Sequence, residues 1–564
     1  MKNKKSFFSW GLQWIFLLLL SACSGNNASP DKFETGTLAL KRGELILCGP
    51  PDKQFGAVNF ETSCSIETRK DFELGLALLH SFEYDEAEKA FAKVIDEDPK
   101  CAMAFWGVAM SNFHPLWAPP GSEELKKGAE AIFKAKLIAA KTDKERQFID
   151  AIGSYYNDWQ QVDHATRCTR FENAMRGIHE EYPDDPEAAI FYALALNGAA
   201  SPTDTSFAKQ KKAGEILTAL YPKYPDHPGI VHYIIHSYDY PPLASMALKA
   251  AREYASIAPS SAHAQHMPSH IFTRLGLWDE CISSNLVATD AAKCYAENSG
   301  IKGHWDEELH GMDYLVYSYL QKGDNVHAKE QWDYLKSFEK VFPVNFKVAY
   351  AFAAIPSRYL LENKMWKEAA ELEVKPPGFS WSQYPWQEAI IHFARLMGAA
   401  NENKLTNANS EKNVLQNIYD TLVAQKDAYK ASQVKVQLLS GEAWILFRSG
   451  KKQAALEQMK MAAEMEDHIQ KHPVTPGEVI PAHELYADML LQMNQPAAAL
   501  EAYEFDLKNH PNRFNGLVGA AMSATGSGKS AEAKKYYQQL VDMTGNSHSN
   551  RGEIVSAKQF LRTH

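Results

Sequence analysis

The chain has 564 residues, 45% of them apolar and 23% charged, and a formal net charge of −10. That balance excludes wholesale disorder, and the negative charge argues against nucleic acid as a partner of the bulk surface. The length admits several domains or one extended array, so pattern has to decide between them.

At the N-terminus, Lys2, Lys4 and Lys5 precede an apolar run from Trp14 to Leu20, closed by Leu20-Ser21-Ala22-Cys23. A basic head, an apolar stretch and small residues form the layout of a secretory signal. An uncleaved anchor helix would need about 20 apolar residues, and Gly11 and Gln13 interrupt this one. The last four residues resemble the lipobox of bacterial lipoproteins. The resemblance implies a signal peptide over 1–22, a lipid on Cys23 that holds the mature chain to a membrane, and a place in the bacterial cell envelope. Ser24 resembles the class sorted to the outer membrane, facing the periplasm. Removing 1–22, with three Lys and no acid, takes the charge from −10 to −13. Six cysteines remain beyond Cys23: Cys48, Cys64, Cys101, Cys168, Cys281 and Cys294. Cys48 and Cys64 flank a Pro/Gly-bearing stretch that they would close as a small disulfide loop. Six buried free thiols are the alternative, and no pair has CxxC spacing.

Residues 23–66 read as a polar tether, with Asn26, Asn27 and Pro30, followed by a short irregular segment. From about Arg69 the apolar spacing is helical and stays so. Leu74, Gly75, Leu78, Ala87, Phe91 and Pro99 stand where two antiparallel helices need small residues at their crossing and a Pro at their end. Further on, Pro186 to Asn197, Asp204 to Tyr221 and Leu243 to Ser256 have helical spacing. Weaker copies of the first pattern surround Gly323-Ala328-Trp332, Trp366-Ala369 and Ala443-Ala455-Met459. Ala499 and Ala533 are 34 positions apart, as are Tyr503 and Tyr537. This period and these positions resemble the tetratricopeptide repeat (TPR). The resemblance implies an all-α, TPR-like α-solenoid, a superhelix of about eight to ten antiparallel hairpins over 67–560. It also implies a concave groove, lined by the first helix of each hairpin, that holds a peptide or protein partner.

Two consecutive Pro-bounded stretches carry the same 34-residue step: His232 and His236 recur as His266 and His270. An i,i+4 spacing puts both imidazoles of a pair on one helix face. On the first helix the polar stripe is His232, His236, Asp239 and Tyr240, while Val231, Ile234, Ile235 and Tyr238 face the core. On the second it is His263, His266, His270, Thr273 and Arg274. The next hairpin adds His310 and Asp313. The same register turns His80, His114, Arg358, Glu388, His392, Glu484 and Asp488 toward the interior. Neutral imidazole suits Zn, Cu, Fe and Ni. The expected ligand set is three or four of His232, His236, His266 and His270, with His310 or Asp313 as a further or supporting group, and Zn or Cu as the ion. Pro268 falls inside the second stripe and puts a break between His266 and His270, which makes His263 the weakest member.

Three other stretches read as packing. Thr525 to Ser530 ends like a phosphate loop but has Ser523 where that motif needs Gly, and no strand precedes it. The cluster from His114 to Pro120 reads as a packed loop, and Trp381, Tyr384 and Trp386 as inter-hairpin packing. Two functions follow. One is a membrane-anchored TPR scaffold that binds a peptide, protein or small ligand in a His-rich groove. The other is a metal-dependent enzyme in that groove, with Glu388, Asp313 or Arg358 as base or charge stabiliser.

Overall fold

The computed structural model describes residues 38–49, 55–116, 119–470, 472–545, 547, 549 and 551–563. The signal segment, Cys23 and most of the tether lie outside the described residues. The chain divides into a unit Met1–Leu38 and a unit Ala39–His564, and all that follows concerns the second.

That unit is an all-α, TPR-like α-solenoid. It opens with the hairpin Arg69–His80 and Tyr84–Glu97 and continues through paired helices to Phe514–Gly526 and Ser530–Thr544, with Gly552–Thr563 closing the array. The first hairpin packs through the residues its signature names: Leu78, Ala87 and Phe91 are fully buried. A Cβ on Gly75 would sit 3.0 Å from the Phe91 ring, so the helix crossing needs the glycine. Asp163, Asp185, Asp324 and Asn345 cap helix starts by accepting from backbone N–H groups that have no partner within the helix.

Twelve hairpins stand among the described residues, against the eight to ten expected. The surplus lies where the repeat consensus is lost, as in Ala102–Ser111 with Ser122–Ile138 and Asp143–Tyr156 with His164–Glu181. The helix expected from Asp204 starts at Ala208, because Asp204 accepts from Ser206 N at 2.9 Å and Phe207 is left-handed (φ 55). The one expected from Leu243 begins as a short 3-10 turn, Ala244–Ala247, before Leu248–Ile257. His304–Trp305 and Val341–Phe342 form a parallel pair two residues long. Residues 527–529 are the turn between two helices, with Gly528 at φ 72.

The cysteines pair differently from the expected small loop. Cys48 bonds Cys294, on the helix Trp278–Ser299, and Cys64 bonds Cys101; Cys168 and Cys281 are buried free thiols.

Two features depart from a simple stack of repeats. Residues 472–481 have no regular structure, yet Val474, Thr475, Val479 and Ile480 are buried. Side chains satisfy their carbonyls, as burial requires. Tyr314 Oη donates to Val474 O (2.9 Å), Arg274 to Thr475 O (3.2 Å), and Arg358 to Gly477 O (2.7 Å) and Glu478 O (3.1 Å). The array also closes on itself. Trp278 Nε1 donates to Asn512 O (2.8 Å), and the fully buried Arg513 binds Glu362 (2.7 Å), Glu484 (2.9 Å) and Tyr317 (3.2 Å).

Candidate metal centre

Pro228 stands at the first turn of the helix Pro228–Tyr238, where its missing N–H costs nothing. Val231, Ile234, Ile235 and Tyr238 pack into the core of this helix, and His232 and His236 lie one turn apart on its other side. Pro268 divides the next stripe into Ala262–His266 and Pro268–Leu275. His263 and His266, three positions apart on the short helix before Pro268, reach two different neighbours. His263 Nε2 lies 3.1 Å from His232 Nε2, while the His266 ring lies 4.1 Å from His310, on the helix Asp306–Gln321.

The candidate ligands, expected as three or four of His232, His236, His266 and His270 with His310 or Asp313 in addition, fall into two sets of three: His232, His236 and His263 in one, His266, His270 and His310 in the other. In each set the candidate ligand atoms lie within 4.8 Å of one another, and each can hold a metal ion. His263 is a full member of the first set, contrary to its expected rank. The sets adjoin, with the rings of His236 and His270 6.5 Å apart. Exposure of the six runs from 0% at His232 to 9% at His236. Phe82 packs on His232 at 4.4 Å, and Tyr314 on His266 at 4.7 Å.

The hydrogen bonds on the far side of these rings assign their protons. His232 Nδ1 donates to His80 O (2.6 Å), His270 Nδ1 to Asp239 Oδ2 (2.9 Å), and His266 Nδ1 to Asn285 Oδ1 (2.6 Å). Asn285 Nδ2 donates to Cys281 O, which fixes the amide so that its oxygen faces the histidine. In a neutral ring with its proton on Nδ1, Nε2 carries only a lone pair. Nonetheless His266 Nε2 and His270 Nε2 face each other at 3.1 Å, and His232 Nε2 lies 3.0 Å from His236 Nε2. Where His266 and His270 are both neutral, two lone pairs at that distance repel unless a cation lies between them, whereas His236 Nε2 can carry a proton and donate to His232 Nε2. An ion about 2.1 Å from both nitrogens would separate them by about 3.0 Å at a right angle and about 3.4 Å at a tetrahedral one.

Burial pushes the imidazoles of His232, His263, His266 and His310 well below the ordinary histidine pKa, and the neighbouring histidines push in the same direction. The rings are neutral at pH 7, the form that ligates.

The other expected residues sort into supporting and unrelated groups. Asp239 bridges His270 Nδ1 and Arg274 Nε (3.2 Å), and Arg274 reaches on to the 472–481 segment. Asp313 and Arg358 stand side by side at 3.6 Å, and burial raises the Asp313 carboxyl to about 6. His80 joins Glu187 (2.9 Å) and Tyr233 (3.1 Å), and Glu187 also binds His227 (3.0 Å). That trio can also group around an ion, but its nitrogens are already bonded to the carboxylate. His114 packs on Tyr84 at 4.3 Å, near Glu124. Glu388 and His392 belong to a different seam, where His392 and Arg395 both bind Glu411. Glu484 holds Arg513, and Asp488 accepts from Tyr503. Trp386 packs on His472 at 5.2 Å and lines a cavity under the 472–481 segment. Asn285 and Glu187 carried no signal in the spacing, because each acts through a helix that only the fold brings near.

No protein-family model and no curated protein matches the sequence. Among solved structures, yeast Tom70 is similar at 12% identity and a TM-score of 0.34, over 88% of this chain and 95% of that one. The structure of Naa15/Naa10 bound to HypK-THB is similar at 10% identity and a TM-score of 0.23, over 88% and 91%. Scores this low carry no functional argument, and the fold assignment rests on the helices themselves.

Proposed function

We propose that this chain is a membrane-anchored metalloprotein whose two histidine sets hold transition-metal ions, Zn or Cu, inside a TPR-like scaffold. The observation that carries the reading is the convergence of His266 Nε2 and His270 Nε2, 3.1 Å apart with each ring's Nδ1 turned to an acceptor on its far side, within a set of three buried imidazoles. A buried arrangement of that kind is a cost to the empty protein that a cation removes. Three nitrogens per ion leave a coordination position open, as in catalytic rather than structural metal sites. The enzyme reading thus stands ahead of the scaffold reading. A peptide partner is less well supported, since the chain's own 472–481 segment already covers the buried faces of the helices that bear Tyr314, Tyr350 and Arg358.

The anchor is the lipid on Cys23, and the outer membrane, facing the periplasm, is the proposed location. Its support is the lipobox-like Leu20-Ser21-Ala22-Cys23 together with the two disulfides, which suit an oxidising compartment. Intact-mass measurement of the N-terminal peptide tests it: a diacylated Cys23 is expected, and an unmodified chain starting at Met1 overturns the anchor. The metal is tested by elemental mass spectrometry on the full chain, purified in detergent without a metal-binding tag, beside a His232→Ala/His270→Ala variant. Near-stoichiometric metal in the wild type and loss in the variant are expected. A wild type that stays empty after metal is offered refutes the reading.

A further inference from the structure

We propose that the two histidine sets form one dinuclear copper centre that binds dioxygen between its ions, an inference that rests on the metal reading above. The first ground is adjacency. His263 and His266 leave the same short helix for different sets, and His236 and His270 meet across the boundary at 6.5 Å between ring centroids. Ions seated in the two sets are therefore neighbours, and paired-metal sites work at separations of about 3.5–4 Å.

The second ground is the donor set. All six donors are imidazoles, and no carboxylate joins either group of candidate ligands among the described residues. Asp239 is turned to His270 Nδ1 and Arg274, and Glu187 to His80 and His227. Pairs of hard ions are held by oxygen ligands, which are lacking here. Imidazole suits copper, and Cu(II) binds most tightly of the divalent first-row ions. A neutral donor set also limits the charge buried with the metal, which favours Cu(I) at rest.

The third ground is burial. Each ion keeps an open position, and the six rings are at most 9% exposed, with Phe82 and Tyr314 packed over them. A peptide has no access to rings buried to that degree, which limits a ligand at the open positions to a small molecule. Dioxygen takes one electron from each Cu(I). The O–O bond is retained, and two Cu(II) and the two-electron-reduced dioxygen remain. Ascorbate, a two-electron, two-proton donor, closes the cycle: its electrons return both ions to Cu(I), and its protons leave with the reduced dioxygen as hydrogen peroxide.

The test loads the metal-free full chain in detergent with Cu(I) under anaerobic conditions, removes unbound copper, and then admits dioxygen. The expected result is two coppers per chain, uptake of one dioxygen per copper pair, and an oxidised form whose electron-paramagnetic spin count is less than one-fifth of its copper. His236→Gln and His310→Gln, one in each set, should each retain a single copper and lose the uptake. Circular dichroism confirms that each variant is folded, and where one is not, the wild-type spin count and uptake decide. Two coppers with a full spin count and no uptake would show separate mononuclear sites and overturn the inference, as would a single copper per chain. A protein that binds neither copper nor any other metal overturns the metal reading itself.

Discussion

Asn285 gives the sharpest handle on the centre, because it touches a candidate ligand without being one. It is fully buried, accepts from His266 Nδ1 at 2.6 Å, and donates to Cys281 O at 2.8 Å. Asn285→Leu keeps the branched shape and removes the acceptor. A buried N–H left without a partner costs about 1–3 kcal/mol, so the metal-free protein should lose stability in that range. The effect on metal is separable. With no acceptor at Nδ1, the His266 proton can move to Nε2, the nitrogen the ion needs. Loss of such an orienting partner weakens metal binding by about 10–100-fold, which is about 1.4–2.7 kcal/mol. Asn285→Asp keeps an acceptor and should bind at least as tightly as the wild type. Competition against a chelator of known affinity, with thermal melts of each metal-free variant, measures both effects. A folded Asn285→Leu protein whose affinity stays within twofold of wild type would refute the assignment of the His266 proton and the argument built on it.

Gly229→Ala should destabilise the protein by about 1–3 kcal/mol, since the new Cβ would lie 2.6 Å from His80 Nδ1, on a ring held by Glu187 and Tyr233. Urea unfolding checks this, and a net gain, as helix propensity alone predicts, would contradict it. Replacing Cys48 and Cys294 by Ser opens a link spanning 246 residues and should cost about 3–5 kcal/mol, with an unchanged melting temperature as the contrary result. The depressed pKa values of His232, His263, His266 and His310 set the pH response. As pH falls, the unfolded chain takes up protons first, near about 6.5. The contribution of the neutral rings is thus complete above that pH and is lost as pH falls through their lower folded values. Metal affinity of the folded protein should accordingly stay level from pH 8 through 6.5 and fall only as pH reaches the lower folded values, and a tenfold decline between pH 8 and 6.5 would refute the buried-neutral assignment.

Much of the architecture was legible because its causes are local. Leu78, Ala87 and Phe91 recur at the spacing a helical hairpin requires, and all three are buried at their crossing. The pairing of His232 with His236, and of His266 with His270, follows from helical spacing alone. Their assembly into triads does not. It depends on which neighbouring helices His263 and His266 meet, Pro228–Tyr238 for the one and Asp306–Gln321 for the other, which a period does not encode. The same limit applies to Cys48, whose partner is 246 positions away, and to residues 472–481. The composition of that segment says loop, while the side chains that bury it, Arg274, Tyr314 and Arg358, are more than a hundred positions upstream. The departures in hairpin number have a related origin. Helices such as Asp143–Tyr156 are fixed by capping and burial rather than by consensus residues.

The contacts that tie Arg513 to Glu362 and Tyr317, and Trp278 to Asn512, change how such an array should fail under stress. An open stack of repeats unravels from its ends, because each unit leans only on its neighbours. Here the last hairpins brace helices from the middle of the chain, so the C-terminal turns behave as a keystone rather than a fringe. Trimming the chain after residue 510 should collapse the central helices that carry His270 and His310 in one cooperative step, far from the cut.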